Sequence, residues 1–246
     1  MASVSFLSHG LTDRGLVRER NEDAFLDRPQ AGPGFGLWAV ADGMGGHQAG
    51  DYASAQVVAA LAALKPPADL EDYVDDVKTQ LLLVDRALRR RARALGPGAV
   101  IASTVVTLLA YGDDFACIWA GDSRVYLLRA GELQRLSTDH SRVQELVGAG
   151  LLKAEDAAFH PEMHVVTQAI GAGRLTFGTR TGIARPGDRF LLCSDGLTAM
   201  VGDDEIAQTL AAAAAPGDAA RQLVDVVLAR GAVDNVSLVV VAANQG

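Results

Sequence analysis

The stretch Leu37-Trp38-Ala39-Val40-Ala41-Asp42-Gly43-Met44-Gly45-Gly46-His47 joins an apolar run to an acidic residue and a glycine-rich turn. Five consecutive apolar residues are typical of a strand that is buried on both faces. Asp42 comes where this strand should end, and Gly43 lets the backbone turn sharply after it. The stretch therefore predicts a core strand that delivers a carboxylate to the edge of a sheet.

Three further aspartates lie beside apolar runs in the same way. They are Asp122 (after residues 116–120), Asp195 (after 190–193) and Asp234 (before 236–241). A carboxylate in such a place is costly to bury unless positive charge balances it. Hard divalent cations prefer oxygen ligands of this kind. Together with Asp42, these residues predict a carboxylate-lined site for Mg²⁺ or Mn²⁺.

Composition sets the broad class of the protein. The 246 residues, 49% hydrophobic and 21% charged, suffice for one large domain, expected to span residues 1–246. A net charge of −8 argues against nucleic acid or an anionic membrane as the main partner. The N-terminus lacks a signal-peptide pattern, and no apolar stretch approaches the ~18 residues that span a bilayer. We therefore expect a cytoplasmic protein.

The periodicity of apolar residues predicts alternating groups of strands and helices. Strands are expected at 4–11, 36–41, 103–110, 114–120, 124–129, 133–136, 176–184, 188–193 and 236–242, and helices at 48–64, 70–95, from 204, and at 217–230. A surface loop is expected around Pro29 to Gly34, and only short helices within 140–170. These patterns alone indicate an α+β fold.

One basic run stands out in this acidic chain. It comprises Arg86, Arg89, Arg90, Arg91 and Arg93, late in the second helix. A solvated helix face that complements the helix dipole explains it. A docking patch for an acidic partner is the alternative.

The order of the short motifs resembles that of the PP2C (PPM) family of metal-dependent serine/threonine protein phosphatases, in its bacterial single-domain form. The motifs are Arg18-Glu19-Arg20-Asn21-Glu22-Asp23, Asp42-Gly43-Met44-Gly45-Gly46-His47, Gly121-Asp122-Ser123-Arg124, Thr138-Asp139-His140-Ser141, Ala169-Ile170-Gly171, Ser194-Asp195-Gly196 and Asp234-Asn235. The resemblance covers residues 12 to 241. It implies a four-layer αββα sandwich, with two antiparallel sheets flanked by helices and a flap near residues 140–165.

The resemblance also implies a ligand set for two metal ions. Asp42 would bridge the two metals, and the carbonyl of Gly43 would bind one of them. Asp195 and Asp234 would complete one metal site. Taken singly, the motifs of these last two aspartates are equally typical of a helix N-cap and of a turn.

Further acidic residues would support this centre. By the resemblance, Glu22 and Asp23 hold metal-bound waters as outer-shell residues, and Asp122 joins Asp195 at a weaker third metal site. The alternative for Asp122 is a turn-former supporting Ser123 and Arg124.

Two basic groups are candidates for contact with substrate. Arg18, five residues before Asp23, would grip the substrate phosphate through its two-pronged guanidinium, with a surface salt bridge as the alternative. Met44 stands where eukaryotic members carry a proposed general-acid histidine. His47, three residues later, either protonates the leaving group or caps a helix. His140 is expected to be structural, and His9, His160 and His164 lack metal-ligand spacing.

The expected activity is hydrolysis of phosphoserine and phosphothreonine in proteins by a metal-activated water. The cofactor would be Mn²⁺ or Mg²⁺, two per active site with a third in addition. Expected partners are a Hanks-type kinase and its substrates, in a pathway such as type VI secretion, with no nucleic acid or membrane, and the protein is expected to be a monomer. The alternative is a non-catalytic module that binds phosphoproteins. Retention of Asp42, Asp195 and Asp234 together favours the enzyme.

Overall fold

The computed structural model describes residues 4–32, 35–45 and 49–246. In chain order, the elements in these ranges are β1 (Val4–Asp13), β2 (Asp23–Gly32), β3 (Phe35–Gly45), α1 (Ala49–Ala62), α2 (Leu70–Leu95), β4 (Ile101–Ser103), β5 (Val105–Tyr111), β6 (Asp114–Ala120), β7 (Arg124–Arg129), β8 (Glu132–Arg135), α3 (Arg142–Gly148), a 3₁₀ turn (Ala154–Phe159), β9 (Gly178–Ile183), β10 (Arg189–Cys193), α4 (Asp195–Thr198), α5 (Asp203–Ala212), α6 (Pro216–Ala229) and β11 (Val236–Gln245).

The strands form two antiparallel sheets that pack face to face. The first sheet has the order β1-β11-β10-β7-β8, and the second has the order β2-β3-β5-β6-β9, with β4 paired to β3. Trp38 and Val40 of the second sheet pack against Phe190 and Val239 of the first in one buried cluster. Helices α1 and α2 cover the outer face of the second sheet, and α5 and α6 cover that of the first. The four-layer αββα sandwich is therefore confirmed.

Strand β3 shows why the central strands are apolar at every position. Leu37, Ala39 and Ala41 lie in the cluster with α1 and α2. Trp38 and Val40 point the other way, into the cluster between the sheets. Successive side chains of a strand face opposite sides, so a strand covered on both faces needs apolar residues throughout.

Strand β2 is the main departure from the sequence prediction. The expected loop around Pro29 lies largely within this strand, which pairs with β3 from Asp23↔Asp42 to Arg28↔Leu37. The register shifts between Arg28 and Gly32. β2 is the edge strand of its sheet, where proline and charged residues are tolerated. Strand β2 was not predicted because its sequence is largely polar and contains no long apolar run.

Local turn and cap signals agree with the observed boundaries. Helix α2 begins after Asp69, whose carboxylate accepts a hydrogen bond from the Asp72 N–H at 2.8 Å, and ends before Gly96. The turn between β7 and β8 has positive φ at both Ala130 and Gly131. Two positive φ values are the requirement of a tight hairpin. Among the described residues, no helix is long and apolar enough to cross a membrane.

Candidate active site

One edge of the sandwich collects the acidic residues singled out in the sequence. Asp42 lies near the end of β3, and Asp23, the first residue of β2, pairs with it directly. Asp122 follows β6, Asp195 follows β10 as the first residue of α4, and Asp234 precedes β11. The ends of strands from both sheets therefore place five carboxylates in one region.

Burial and repulsion between carboxylates raise the pKa values of Asp23, Asp42, Asp122 and Asp195. Burial, then repulsion from Asp23, Asp195, Asp122 and Asp234, places the pKa of Asp42 well above its ordinary value. Burial and repulsion from Asp195 raise the pKa of Asp122 to about 7. The pKa of Asp23 also rises to about 7, mainly through burial, even though hydrogen bonds favour its charged form. The site thus carries more negative charge than its protein surroundings neutralise.

The chemistry of this donor set fits hard divalent cations. Burial, then repulsion from Asp234, also raises the pKa of Asp195, so the carboxyls of this cluster tend to hold protons when no cation balances their charge. Within residues 4–32, 35–45 and 49–246, no three carboxylate, imidazole or thiol groups already form a cage for an ion. A cation that binds here would displace protons and draw the carboxylates together.

Arg18 forms a direct ion pair with one member of this cluster. Its Nη2 donates to Oδ2 of Asp234 at 2.6 Å, and 53% of its side chain is exposed. This hydrogen bond is the main reason that the pKa of Arg18 is raised, so the guanidinium stays charged. The ion pair that the sequence analysis left as the alternative is therefore present. It joins Arg18 to a predicted metal ligand, and the predicted grip on phosphate stays a prediction.

Asn235 holds the Arg18 segment against Asp234. Its Nδ2 donates to the carbonyls of Arg14 and Arg20, both at 2.8 Å, and its Oδ1 accepts from the N–H of Glu22 at 2.9 Å. Asn235 is buried, so these three bonds satisfy the polar atoms of its own side chain and tie it to three backbone groups. No role for Asn235 was predicted from the sequence. Its only signal was its position directly after Asp234.

Two glycines allow the backbone to close around Glu22. A Cβ on Gly43 would lie 2.0 Å from the carbonyl oxygen of Gly50 and 2.6 Å from that of Glu22. A Cβ on Gly50 would lie 2.7 Å from the Glu22 carboxyl carbon. Burial and repulsion from Asp51 raise the pKa of Glu22, and Arg18 partly offsets them. The carboxylate of Asp51 is thus a further acidic group near Glu22, and it was not predicted from the sequence.

The histidines divide into different roles. His47 lies outside the described residues. The ring of His140 stacks on that of Trp119 with centroids 6.2 Å apart, and the backbone N–H of His140 donates to the Gly121 carbonyl at 2.8 Å. Burial lowers the pKa of His140, in keeping with a neutral structural histidine. His164, which lacked ligand spacing in the sequence, is exposed and lines a cavity that Asp122 and Asp195 also line.

That cavity opens beside the carboxylates and under the segment 141–165. It measures about 520 Å³, and apolar side chains such as Val143, Val147 and Met163 share its lining with charged ones. On its floor Arg124 donates to both carboxylate oxygens of Asp139, with its Nη2 at 2.6 Å from Oδ2. The predicted flap thus borders the carboxylate site.

Comparison with known proteins agrees with this architecture. A family model described as protein phosphatase 2C matches residues 17–228. PppA of Pseudomonas aeruginosa, described as a key regulatory component of T6SS, superposes with a TM-score of 0.88 and 42% identity, over 98% of this chain and 99% of that one.

The serine/threonine protein phosphatase PstP of Mycobacterium tuberculosis is a further relative. It is 35% identical over 229 residues, which are 93% of this chain and 43% of PstP, so this chain spans less than half of that protein. The catalytic domain of PstP, solved in complex with two manganese ions, superposes with a TM-score of 0.84 and 34% identity, over 98% of this chain and 99% of that one. The chain belongs to the protein phosphatase 2C family.

Proposed function

We propose that this chain, as a single domain over residues 1–246, hydrolyses phosphoserine and phosphothreonine in proteins and needs Mn²⁺ or Mg²⁺ to do so. The observation that carries the proposal is the meeting of five partly buried carboxylates beside one half-exposed arginine. The manganese ions in the PstP catalytic domain support the choice of cation.

The aspartates would hold the cations. Asp42 would bridge two of them, with the Gly43 carbonyl, Asp195 and Asp234 as further ligands. Asp122 would share a third cation with Asp195, while Glu22 and Asp23 would hold waters. When bound, the cations supply an acidified water as nucleophile and charge stabilisation for the phosphoryl oxygens.

Arg18 would bind the phosphate. Its guanidinium is charged and half exposed, and one contact of 2.6 Å holds it to Asp234. Neutralisation of Asp234 by a cation would weaken that contact and leave the guanidinium free for phosphate oxygens. His47 remains the candidate for protonating the leaving oxygen.

The likeness to PppA supports a place in a kinase–phosphatase circuit. PppA is described as a regulator of T6SS, and this chain matches nearly all of it. We therefore infer that this phosphatase reverses a Hanks-type serine/threonine kinase, in a pathway of the type VI secretion kind.

Phosphopeptide turnover with metal titration tests the proposal. Protein stripped with EDTA should release no phosphate from a phosphothreonine peptide, and Mn²⁺ or Mg²⁺ should restore release. Full turnover by metal-free protein would contradict the proposal. Tight peptide binding without turnover at saturating Mn²⁺ would instead favour a non-catalytic binding module.

A further inference from the structure

Three exposed aliphatic side chains border the candidate active site. Leu16, Val17 and Val233 expose 63%, 65% and 53% of their surface. Leu16 and Val17 directly precede Arg18, and Val233 directly precedes Asp234. Single exposed apolar residues are common on protein surfaces, but a group of them next to one site calls for an explanation. We call these three residues the apolar rim.

The two backbone segments that carry the apolar rim, residues 15–17 and 232–234, are held together by hydrogen bonds and close packing. The Leu16 N–H donates to the Ala232 carbonyl at 2.9 Å. Gly15 packs so closely that a Cβ there would lie 2.3 Å from the Asp234 carbonyl oxygen. Asn235 adds hydrogen bonds on both sides of Arg18, to the carbonyls of Arg14 and Arg20. The apolar rim thus lies on two backbone segments that hydrogen bonds and close packing hold in place. Binding of another group to it therefore costs little backbone conformational entropy.

We propose that the apolar rim binds an aliphatic or aromatic side chain of the substrate, two or three residues from the phosphorylated serine or threonine. This inference rests on the proposed function, in which Arg18 holds the phosphate. An extended chain advances about 3.3–3.6 Å per residue. A substrate side chain two or three positions from the phosphate can therefore reach residues that directly precede Arg18.

The expected selectivity is about tenfold. Covering a half-exposed Leu or Val side chain with an apolar partner is worth about half of its full burial, roughly 1.4 kcal/mol, which is a tenfold change in affinity. The wild-type protein should prefer phosphothreonine peptides with leucine or phenylalanine at one of these positions over matched peptides with serine there. The preference should appear in KM more than in kcat, because the rim contacts ground state and transition state alike.

Variants of the rim test the inference. In each of Leu16→Ser, Val17→Ser and Val233→Ser, the ratio of kcat/KM for the apolar peptide to kcat/KM for the serine peptide should fall part of the way from about ten towards one, and in the triple variant it should fall the full tenfold or so. Leu7→Ser is the matched control, because Leu7 on β1 exposes the same 63% of its surface away from Arg18. Its ratio should equal that of wild type. Fluorescence anisotropy of a non-hydrolysable phosphonate analogue of the apolar peptide should show the same order of affinities.

The outcomes separate this inference from the proposed function. Absence of turnover for every phosphopeptide would overturn the proposed function itself. Turnover with equal kcat/KM for apolar and serine peptides would overturn only the role of the apolar rim. Sedimentation that shows a wild-type dimer, and monomers for the three rim variants with unchanged peptide selectivity, would assign the rim to contact between copies of this chain and likewise overturn the inference.

Discussion

Replacing Asp42 with asparagine should stabilise the metal-free protein at alkaline pH and abolish its response to metal. Asp42 is repelled by Asp23, Asp195, Asp122 and Asp234, and burial adds to the cost of its charge. An asparagine keeps nearly the same shape and carries no charge.

The size of the effect follows from the raised pKa values. Asp23 and Asp122 have pKa values near 7 against an ordinary 3.8, and each unit corresponds to about 1.4 kcal/mol. The pKa of Asp42 itself is raised well above its ordinary value by burial and by repulsion from four neighbouring carboxylates, so loss of its charge should relieve on the order of 2 kcal/mol at pH 8. At about 2–4 °C per kcal/mol for a chain of this size, the metal-free variant should melt about 4–8 °C higher than wild type at pH 8.

The pH dependence has a definite sign. A carboxyl with a raised folded-state pKa keeps its proton in the native protein at pH values where the unfolded chain has lost it. Its contribution to stability is full below about pH 4 and is lost as the pH rises through about 7. To the extent that these groups contribute, metal-free wild type should therefore have a higher melting temperature at pH 5 than at pH 8. Asp42→Asn should reduce this difference in melting temperature.

Calorimetry with and without Mn²⁺ supplies the assay. At a concentration 100 times its Kd, a metal stabilises the native state by about 2.7 kcal/mol. Wild type should gain that stability and the variant much less, so the order of melting temperatures should reverse. Turnover should fall at least ~100-fold in the variant, since several kcal/mol of transition-state stabilisation are lost.

Asp76→Asn, an exposed change on α2, is the control, and its free energy of unfolding should lie within about 0.5 kcal/mol of that of wild type. A metal-free variant that melts below wild type at pH 8, with a full Mn²⁺ response, would refute the reasoning.

Other changes test single contacts. Arg18→Ala should raise KM for a phosphothreonine peptide more than it lowers kcat. Its Mn²⁺ affinity, measured by calorimetry, should stay close to that of wild type. An unchanged KM with weakened Mn²⁺ binding would instead show that Arg18 supports Asp234. Asn235→Leu should cost roughly 1–3 kcal/mol in urea unfolding, since three partly buried backbone groups lose their hydrogen bonds to this side chain. Gly43→Ala should destabilise strongly, because its Cβ would meet a backbone oxygen at 2.0 Å, whereas Gly148→Ala, with open space around it, should not.

Much of the fold could be predicted from the sequence because its central strands are buried on both faces. Strands β6 and β7 and helix α2 have the predicted bounds, since each combines a clear apolar pattern with a turn or cap signal. Edge strand β2 escaped because it has few apolar residues and contains a proline. Its pairing with β3, which places Asp23 opposite Asp42, is a long-range feature that no local pattern carries.

By itself, the sequence determined the candidates for the chemistry: carboxylates at the ends of apolar strands, costly to bury without a cation. Only the tertiary structure decided how their charges are compensated. The ion pair of Arg18 with Asp234 and the clamp by Asn235 join residues more than 200 positions apart. Such contacts depend on which strand ends meet at the edge of the two sheets. The local sequence does not show which strand ends will be neighbours, because their positions result from the packing of the whole sandwich.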